Sequence, residues 1–405
     1  MENKLLTADR LFDATGTATI VSPQLRIQES KVDSVAATLS PPATCSSETF
    51  DFPGCTILPG LIDTHVHLIF SALETREQII EKVTSETEEQ LYERAKTNAI
   101  AAMKVGITTV RDCGGKGTIV QRLRDEVRRG NITACDIVSC GVPITTTLGH
   151  CNWLGLIANT REEVKQAVEK MLAEDADWLK VMATGGNMTA TSDPLVAQYD
   201  DDSLFMIAEM GRQAKKYSAA HVLSQAALPG AVKAGYRTIE HCNWRVREDV
   251  YEFRPDLAKQ MIDQQQYPGL TMSGNIRRAV HPELADLPKM GAVKGLEDRF
   301  VTEQKMIDFG VPFTLHSDAG VMRTPIDKFV EGLRCAEVEL KLTPADVIVA
   351  ATRTAAEAID LPDRGTLVAG KRADLLVVEG NPLTDLRCLE KVRAVMKAGE
   401  WVYRA

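Results

Sequence analysis

The sequence predicts an α/β protein with a (β/α)8 barrel of the TIM type and a small β-sandwich domain formed by both chain termini. Three observations predict this fold. Apolar, strand-like runs alternate with helical stretches about eight times along the middle of the chain, as in parallel sheets whose strands are joined by helices. Short β-like runs lie before and after this region. No glycine-rich phosphate turn follows the first strand, which disfavours a doubly wound sheet.

The terminal segments predict one discontinuous β domain, residues 1–57 with 360–405, next to a barrel of residues 58–359. Short apolar runs such as Leu25–Ile27 lie between polar turns near the start, and Ala373–Val378 predicts a strand near the end. Strands at opposite ends of a chain can pair only if the termini meet. The two segments are therefore expected to form one composite domain.

The barrel is expected to contain eight strands joined by helices whose starts are marked by capping residues. Ser85–Glu88 and Thr160–Glu163 have the spacing of capping boxes. The threonine–proline pair at 343–344 predicts a helix that continues to about Ile359. The predicted strands are Ile57–His67, Ile107–Asp112, Ile137–Pro143, Trp178–Ala183, Ala219–Ser224, Thr238–Cys242, Gly269–Ser273 and Phe313–Asp318.

Composition and charge exclude several classes of protein. The 405 residues carry a formal net charge of −9 without a basic run, which argues against a nucleic-acid partner and against binding to anionic membranes. No apolar stretch approaches the roughly 18 residues of a membrane span. Charged residues interrupt the first 16 residues, so no signal peptide is expected. Nine cysteines without CxxC spacing predict reduced thiols and a cytoplasmic protein.

His65 and His67 are the first candidates for chemistry. Alternate residues of a strand point to the same face, so the two imidazoles can chelate one metal ion. They also end a predicted barrel strand, and barrel enzymes keep their active sites at the carboxyl ends of the strands. The alternative is a pair of exposed histidines on an edge, which the preceding apolar run disfavours.

Lys180 lies in the middle of an apolar strand, where an unpaired charge is expensive to bury. A buried neutral amine can react with carbon dioxide to give a carbamate, an anionic oxygen ligand that can bridge two cations. The alternative is a lysine whose amine reaches water from the strand end.

Three further polar residues lie at the ends of predicted strands: His221, His241 and Asp318. Each has a common structural explanation, a hydrogen-bonded core histidine or a helix cap. Together with the earlier candidates they place metal-competent groups on strands one, four, five, six and eight of one barrel rim. A metal centre explains this coincidence better than five unrelated structural roles.

The motifs resemble those of the amidohydrolase superfamily over essentially the whole chain. The matching segments are Pro59–His67, Lys180–Gly186, Glu240–His241, Ser317–Gly320 and the C-terminal Gly370–Leu375 with Gly380–Leu383. Within the superfamily the chain resembles the imidazolonepropionase-like branch, which contains prolidase-type dipeptidases, carboxypeptidases and ochratoxin-type amidases. The resemblance implies a (β/α)8 barrel with a β-sandwich.

The resemblance also implies a ligand set and two departures from it. His65, His67 and Asp318 would bind the more buried of two divalent metal ions, and His221 and His241 the second. Lys180, as N6-carboxylysine, would bridge the two ions, with zinc as the expected metal. The departures are Leu223, where the branch often has a second histidine after strand five, and His316, where a small residue is usual.

These residues predict a metal-dependent hydrolase that cleaves a small amide, such as a dipeptide or an N-acyl amino acid, by attack of a metal-bridging hydroxide. Asp318 would act as general base and then general acid, and His150 would stabilise the developing oxyanion. Trp153, Trp244 and Arg277 are candidate substrate contacts, although packing or solvation explains them equally well.

Two other functions stay open on the sequence alone. One is a mononuclear deaminase or a hydrolase of cyclic amides and imidazolone-type rings, which Lys180 disfavours because a bridging carbamate has little purpose with one metal ion. The other is a catalytically inactive homologue that serves as an assembly subunit. The expected partner is a small-molecule amide, and a homo-oligomer is possible.

Overall fold

The structure, a computed structural model, describes residues 3–16, 18–37, 47–281 and 295–405. The strands are β1 (Asn3–Leu11), β2 (Ile20–Val21), β3 (Gln24–Gln28), β4 (Lys31–Ala36), β5 (Ser47–Pro59), β6 (Leu61–Val66), β7 (Ile107–Asp112), β8 (Asp136–Ser139), β9 (Ile144–Thr145), β10 (Leu156–Ile157), β11 (Leu179–Met182), β12 (Ser218–His221), β13 (Thr238–Glu240), β14 (Arg245–Arg247), β15 (Val250–Tyr251), β16 (Tyr267–Thr271), β17 (Thr314–His316), β18 (Leu375–Glu379), β19 (Val392–Lys397) and β20 (Glu400–Arg404).

Helices follow most of the central strands. They are α1 (Arg76–Ser85), α2 (Glu88–Lys104), α3 (Ile119–Arg128), α4 (Arg161–Ala173), α5 (Asp201–Gln213), α6 (Leu228–Ala234), α7 (Pro255–Asp263), α8 (Gly274–Val280), α9 (Leu296–Asp308), α10 (Phe329–Glu339), α11 (Pro344–Ala350) and α12 (Arg353–Ala358), with 3₁₀ turns at Ile326–Lys328 and Leu386–Glu390. None of the helices described combines the length and the apolar character needed to cross a bilayer.

The predicted parallel barrel is confirmed. Its eight strands are β6, β7, β8, β11, β12, β13, β16 and β17. Each strand begins within two residues of the predicted start or lies inside the predicted run. The barrel strands that pair directly with one another are parallel. Backbone hydrogen bonds close the ring. The amide of Asp318 donates to the carbonyl of His65 over 3.0 Å, and the amide of Asp177 donates to the carbonyl of Ser139 over 2.8 Å.

The strand register brings the carboxyl ends of neighbouring barrel strands to the same level. Met182 is paired with His221, and His221 with Glu240. On the next pair of strands, Thr271 is opposite His316. Side chains at these positions therefore face one another across the barrel rim although they are far apart in sequence.

Both termini contribute to one β domain, as predicted. Its sheet has the order β20-β19-β18-β5-β1-β3-β4, with β2 paired to β1. Strand β5 lies between the N-terminal β1 and the C-terminal β18, and the sheet is continuous. Side chains from several of its strands belong to one apolar cluster, which includes Leu6, Leu25, Ile57, Leu375 and Met396. The domain boundaries at residues 57 and 359 stay a prediction.

Only Gly60 separates β5 of this domain from the first barrel strand. A Cβ atom there would lie 2.3 Å from the side chain of Thr108. The chain passes close to β7 at this point, and any other residue would displace the neighbouring strand. The glycine thus fixes how the β domain joins the barrel.

Two helix predictions are wrong in detail. Thr87, and not Ser85, caps α2, since Thr87 forms a reciprocal capping box with Gln90 and Ser85 still belongs to α1. The helix predicted to continue to Ile359 is interrupted between α11 and α12. There the carbonyl of Ala351 accepts a hydrogen bond from the amide of Ile62 in the first barrel strand, so tertiary contact competes with helix continuation.

Candidate functional site

Six side chains of the predicted ligand set meet at the carboxyl end of the barrel. His65 lies in β6, Lys180 in β11 and His221 at the end of β12, whereas His241 follows β13 and Asp318 follows β17. Together with His150 they line one small inner cavity of about 30 Å³. The residues around it are His65, His67, Phe70, His150, Cys151, Lys180, Met182, Met188, His221, His241, Asp318 and Val321.

The first group consists of His65, His67 and Asp318. The Nε2 atoms of the two histidines lie 3.6 Å and 3.4 Å from Oδ1 of Asp318, and one ligand atom from each of the three residues falls within 4.8 Å of the others. The carbonyl of Gly114 lies 3.2 Å from Nδ1 of His67. That contact turns Nε2 of His67 toward the aspartate.

The second group consists of His221 and His241, whose ring centres are 4.6 Å apart. Nδ1 of His241 is 2.6 Å from the hydroxyl of Thr271. The His65 and His241 rings are 5.2 Å apart, so the two groups adjoin. The arrangement presents two neighbouring sets of imidazoles to one space.

Lys180 lies in the same space without a partner. Its side chain is only 1% exposed, and within the described part of the chain its Nζ atom makes no hydrogen bond. Buried polar groups in folded proteins are almost always hydrogen-bonded. The amine of Lys180 is therefore left to a ligand or a water molecule in the inner cavity.

Three of the four candidate ligand histidines are held in the neutral form that binds metal ions. Burial lowers the pKa of His65, His221 and His241 below the ordinary range, which favours neutral imidazoles with a free lone pair. Burial also opposes protonation of His67, but the adjoining Asp318 carboxylate raises the pKa of that residue overall. Neutral imidazoles with a carboxylate are the donors that zinc and similar divalent cations prefer, so the residues fit such ions.

A buried ionic network beneath the site escaped sequence reasoning. Glu240 lies 2.8 Å from Nδ1 of His65 and 2.5 Å from the guanidinium of Arg111. Burial would raise the pKa of Glu240, but the positive charge of Arg111 is the main cause that lowers it, to about 2. A charged residue inside an apolar strand is a sign of a buried ionic group. Arg111 and Glu240 have this sign as clearly as Lys180 does.

Two ligand candidates have unusual backbones. His241 has φ of 65° and Asp318 has φ of 57°, the left-handed region that residues other than glycine rarely adopt. Fourteen other described non-glycine residues also have a positive φ, so this conformation orients the two side chains without by itself marking a site. The barrel thus holds both side chains in orientations that the local sequence does not favour.

His150 faces the second group from the loop after the third barrel strand. Its ring stacks on His221 at 4.4 Å. A Cβ atom on Gly186 would lie 2.6 Å from the imidazole, so the glycine makes room for it. Burial lowers the pKa of His150 to about 3.

The two departures from the family pattern occupy different places. Leu223 lines the outer part of the site. His316 is buried behind His65, with ring centres 4.7 Å apart, and its Nε2 is 3.3 Å from the hydroxyl of Thr271. Gly269 accommodates the larger ring, because a Cβ atom there would lie 2.7 Å from it.

Three predicted substrate contacts lie away from the cavities. Trp244 is buried and packs on Phe253, and Trp153 packs behind Phe70 with ring centres 5.6 Å apart. Arg277 is 2% exposed and donates to Glu331 over 3.0 Å. Trp244 packs in the core, Trp153 is partly buried and the Arg277 guanidinium is already paired, and a contact of these three residues with a substrate stays a prediction.

An outer cavity of about 490 Å³ leads to the inner one. This volume is typical of small-molecule sites. The two cavities share His150, Met188, His221, His241, Asp318 and Val321. The outer wall includes Leu223, Asn243, Arg245, Glu248, Asp249, Tyr251, Thr271, Asn275 and Arg299.

A parallel barrel whose polar, strained residues meet at the carboxyl ends of its strands, under a substrate-sized cavity, defines a TIM-barrel enzyme. The sequence profile of the amidohydrolase family matches residues 56–402. The chain belongs to this family and is a hydrolase that acts on C–N bonds.

Similar proteins span most of the chain. Ochratoxinase of Aspergillus niger is 25% identical over 366 residues, which cover 84% of this chain and 73% of that protein. An imidazolonepropionase of Fusobacterium nucleatum subsp. nucleatum is 23% identical over 83% of this chain and 79% of its own length. The crystal structure of a Xaa-Pro dipeptidase with bound methionine superposes with a TM-score of 0.84 over 100% of both chains at 23% identity, which supports the fold.

Proposed function

We propose that the protein is a binuclear metal-dependent hydrolase that cleaves the amide bond of a small substrate such as a dipeptide or an N-acyl amino acid. The observation that carries the proposal is the unpaired Nζ atom of Lys180 in the inner cavity that both histidine groups also line. A site with one metal ion would give the Lys180 amine no binding partner. Two ions bridged by a carbamate would satisfy it.

The residues divide between the two ions as follows. His65, His67 and Asp318, whose ligand atoms converge, would hold one ion, and His221 and His241 the other. Lys180 would supply an anionic oxygen ligand as a carbamate, formed when its amine adds to carbon dioxide with loss of a proton. Zinc suits this set of nitrogen and oxygen donors.

Bound divalent cations supply Lewis acidity and lower the pKa of water toward neutrality. The chain's own residues supply the rest of the reaction. Asp318 would accept a proton from the attacking water and donate it to the leaving nitrogen. His150, stacked on His221 at the mouth of the inner cavity, would donate a hydrogen bond to the substrate carbonyl oxygen as negative charge develops.

The test combines metal analysis with a substrate panel. Zinc-loaded protein is assayed against dipeptides, N-acyl amino acids and cyclic amides, and bound zinc is counted per chain. Two ions per chain with hydrolysis of linear amides would support the proposal. Isotope-labelled bicarbonate should yield a carbamate NMR signal that is absent from Lys180→Met protein. One ion per chain with no carbamate would contradict it.

A second candidate is a hydrolase of cyclic amides or a deaminase that uses one metal ion. The similarity to an imidazolonepropionase favours this candidate. It predicts one bound ion, held by His65, His67 and Asp318, and turnover confined to the cyclic substrates of the panel. A folded, metal-loaded protein that cleaves nothing would instead favour an inactive assembly subunit.

A further inference from the structure

Arg245 is a guanidinium that lines the outer cavity without a partner. It lies four residues after His241, in the first strand of the β14–β15 hairpin, and is partly exposed. Its Nε atom is buried without a hydrogen bond, and the side chain makes no ion pair with any described residue. A cationic side chain whose Nε atom is buried and unpaired beside a substrate-sized cavity is suited to a ligand that accepts hydrogen bonds.

The backbone around Arg245 is held firmly. The carbonyl of Arg245 accepts a hydrogen bond from the amide of Gln225 over 2.7 Å, and the Gln225 side chain donates to the carbonyls of Trp244 and Glu252 over 3.1 Å and 2.6 Å. The base of the hairpin is thus clamped to the loop after β12. The backbone of Arg245 is therefore fixed beside the cavity that His221 and His241 also line.

The other charged groups around this cavity do not neutralise Arg245. Arg299 is engaged with Glu303 over 2.7 Å and with the carbonyl of Thr271 over 3.1 Å. Glu248 and Asp249 line the same cavity, but within the described chain neither lies within ion-pair distance of Arg245. Arg245 is left as a cation available to a bound molecule.

We infer that Arg245 binds a carboxylate of the substrate, so the substrate is an amide that carries a free carboxylate, such as an N-acyl amino acid or a dipeptide. A guanidinium matches a carboxylate with two parallel hydrogen bonds. This inference rests on the proposed function and narrows its substrate class. It assigns Arg245 the role of orienting the scissile amide toward the inner cavity, and neutral amides lack that anchor.

The kinetic test compares matched pairs that differ only in the carboxylate. N-acetyl-L-phenylalanine is paired with N-acetylphenethylamine, and the same is done for alanine and leucine. The wild type should prefer the carboxylate by about 10- to 100-fold in kcat/KM. Arg245→Met should abolish the preference, mainly through KM, and Arg245→Lys should keep part of it. Arg247→Met, an exposed position on the same hairpin, should behave as wild type.

A binding measurement separates the inference from the proposed function. Calorimetry with N-acetyl-L-phenylalanine on protein freed of metal should show binding to the wild type and to Arg247→Met, and at least tenfold weaker binding to Arg245→Met. Equal binding, or a carboxylate preference that survives Arg245→Met, would overturn the role of Arg245. Carboxylate-dependent binding without hydrolysis of any amide would overturn the proposed function alone.

Discussion

Glu240 accepts a hydrogen bond from Nδ1 of His65 over 2.8 Å, and this contact determines which nitrogen of His65 faces the cavity. Since the pKa of Glu240 is lowered to about 2, its carboxylate is ionised and Nδ1 is the protonated nitrogen. The lone pair of Nε2 is then directed toward Asp318. Carboxylate–histidine pairs of this kind orient metal ligands in many sites.

Replacement of Glu240 by Gln should destabilise the fold and weaken metal binding together. Arg111 is fully buried against Glu240, and leaving such a charge unpaired costs about 3–5 kcal/mol. Urea unfolding checks this cost. Loss of the carboxylate behind His65 should lower zinc affinity about 10- to 100-fold, measured by chelator competition below the melting temperature. Glu81→Gln, at an exposed position of α1, is the control, and unchanged zinc affinity in Glu240→Gln would refute the orienting role.

Lys180→Ala should remove most activity and at least one metal ion. Without the carbamate, two cations would face too little negative charge from their ligands. Metal content per chain and turnover are measured on the same preparation. Lys170→Ala, on the exposed face of α4, should retain both. Two tightly held ions in Lys180→Ala would show that the bridge is not needed.

Asp318→Asn should separate metal binding from turnover. The amide retains one oxygen for a metal ion but cannot shuttle a proton at neutral pH. General acid–base catalysis contributes about 10²–10⁴-fold, so kcat should fall by that order while most of the metal stays bound. If Asp318 served only as a cap, stability would fall by roughly 1 kcal/mol or less and kcat would be nearly unchanged.

Asp136 should make the free energy of unfolding depend on pH in the acidic range. Its carboxylate contacts Arg372, Arg364 at 2.8 Å and Lys397 at 2.9 Å, joining β8 to the C-terminal segment. Although burial opposes this, these cations lower the pKa of Asp136 in the folded state. The stabilisation is therefore complete above the unfolded pKa of about 4 and is lost as the pH falls below it.

Asp136→Asn should accordingly lower the free energy of unfolding by about 3 kcal/mol at pH 7, and by less as the pH is lowered toward 2. Urea denaturation across this range measures the difference. The control is Asp263→Asn, which breaks an exposed pair with Lys259 and should cost no more than about 0.5 kcal/mol. A pH-independent difference for Asp136→Asn would exclude the linkage.

Local patterns were sufficient for the barrel and for the positions of the candidate ligands. Alternating apolar strands and helices predict parallel pairing because each strand has to be buried on both faces. The period of two in a strand places His65 and His67 on one face. His221, His241 and Asp318 could be found because polar groups at the ends of buried strands stand out from their neighbours.

The partners of those residues were decided by the tertiary structure. Glu240 is 175 residues from His65 in sequence, and only barrel closure brings them together. Roles for Trp153, Trp244 and Arg277 could not be decided from the sequence, because a core accepts an aromatic ring or a paired guanidinium as readily as a substrate pocket does. Arg245 showed no motif at all. Its proposed role depends on the cavity that it lines and on the lack of a hydrogen-bond partner among the described residues. Both features come from residues that are distant in sequence, so the order of residues alone does not specify them.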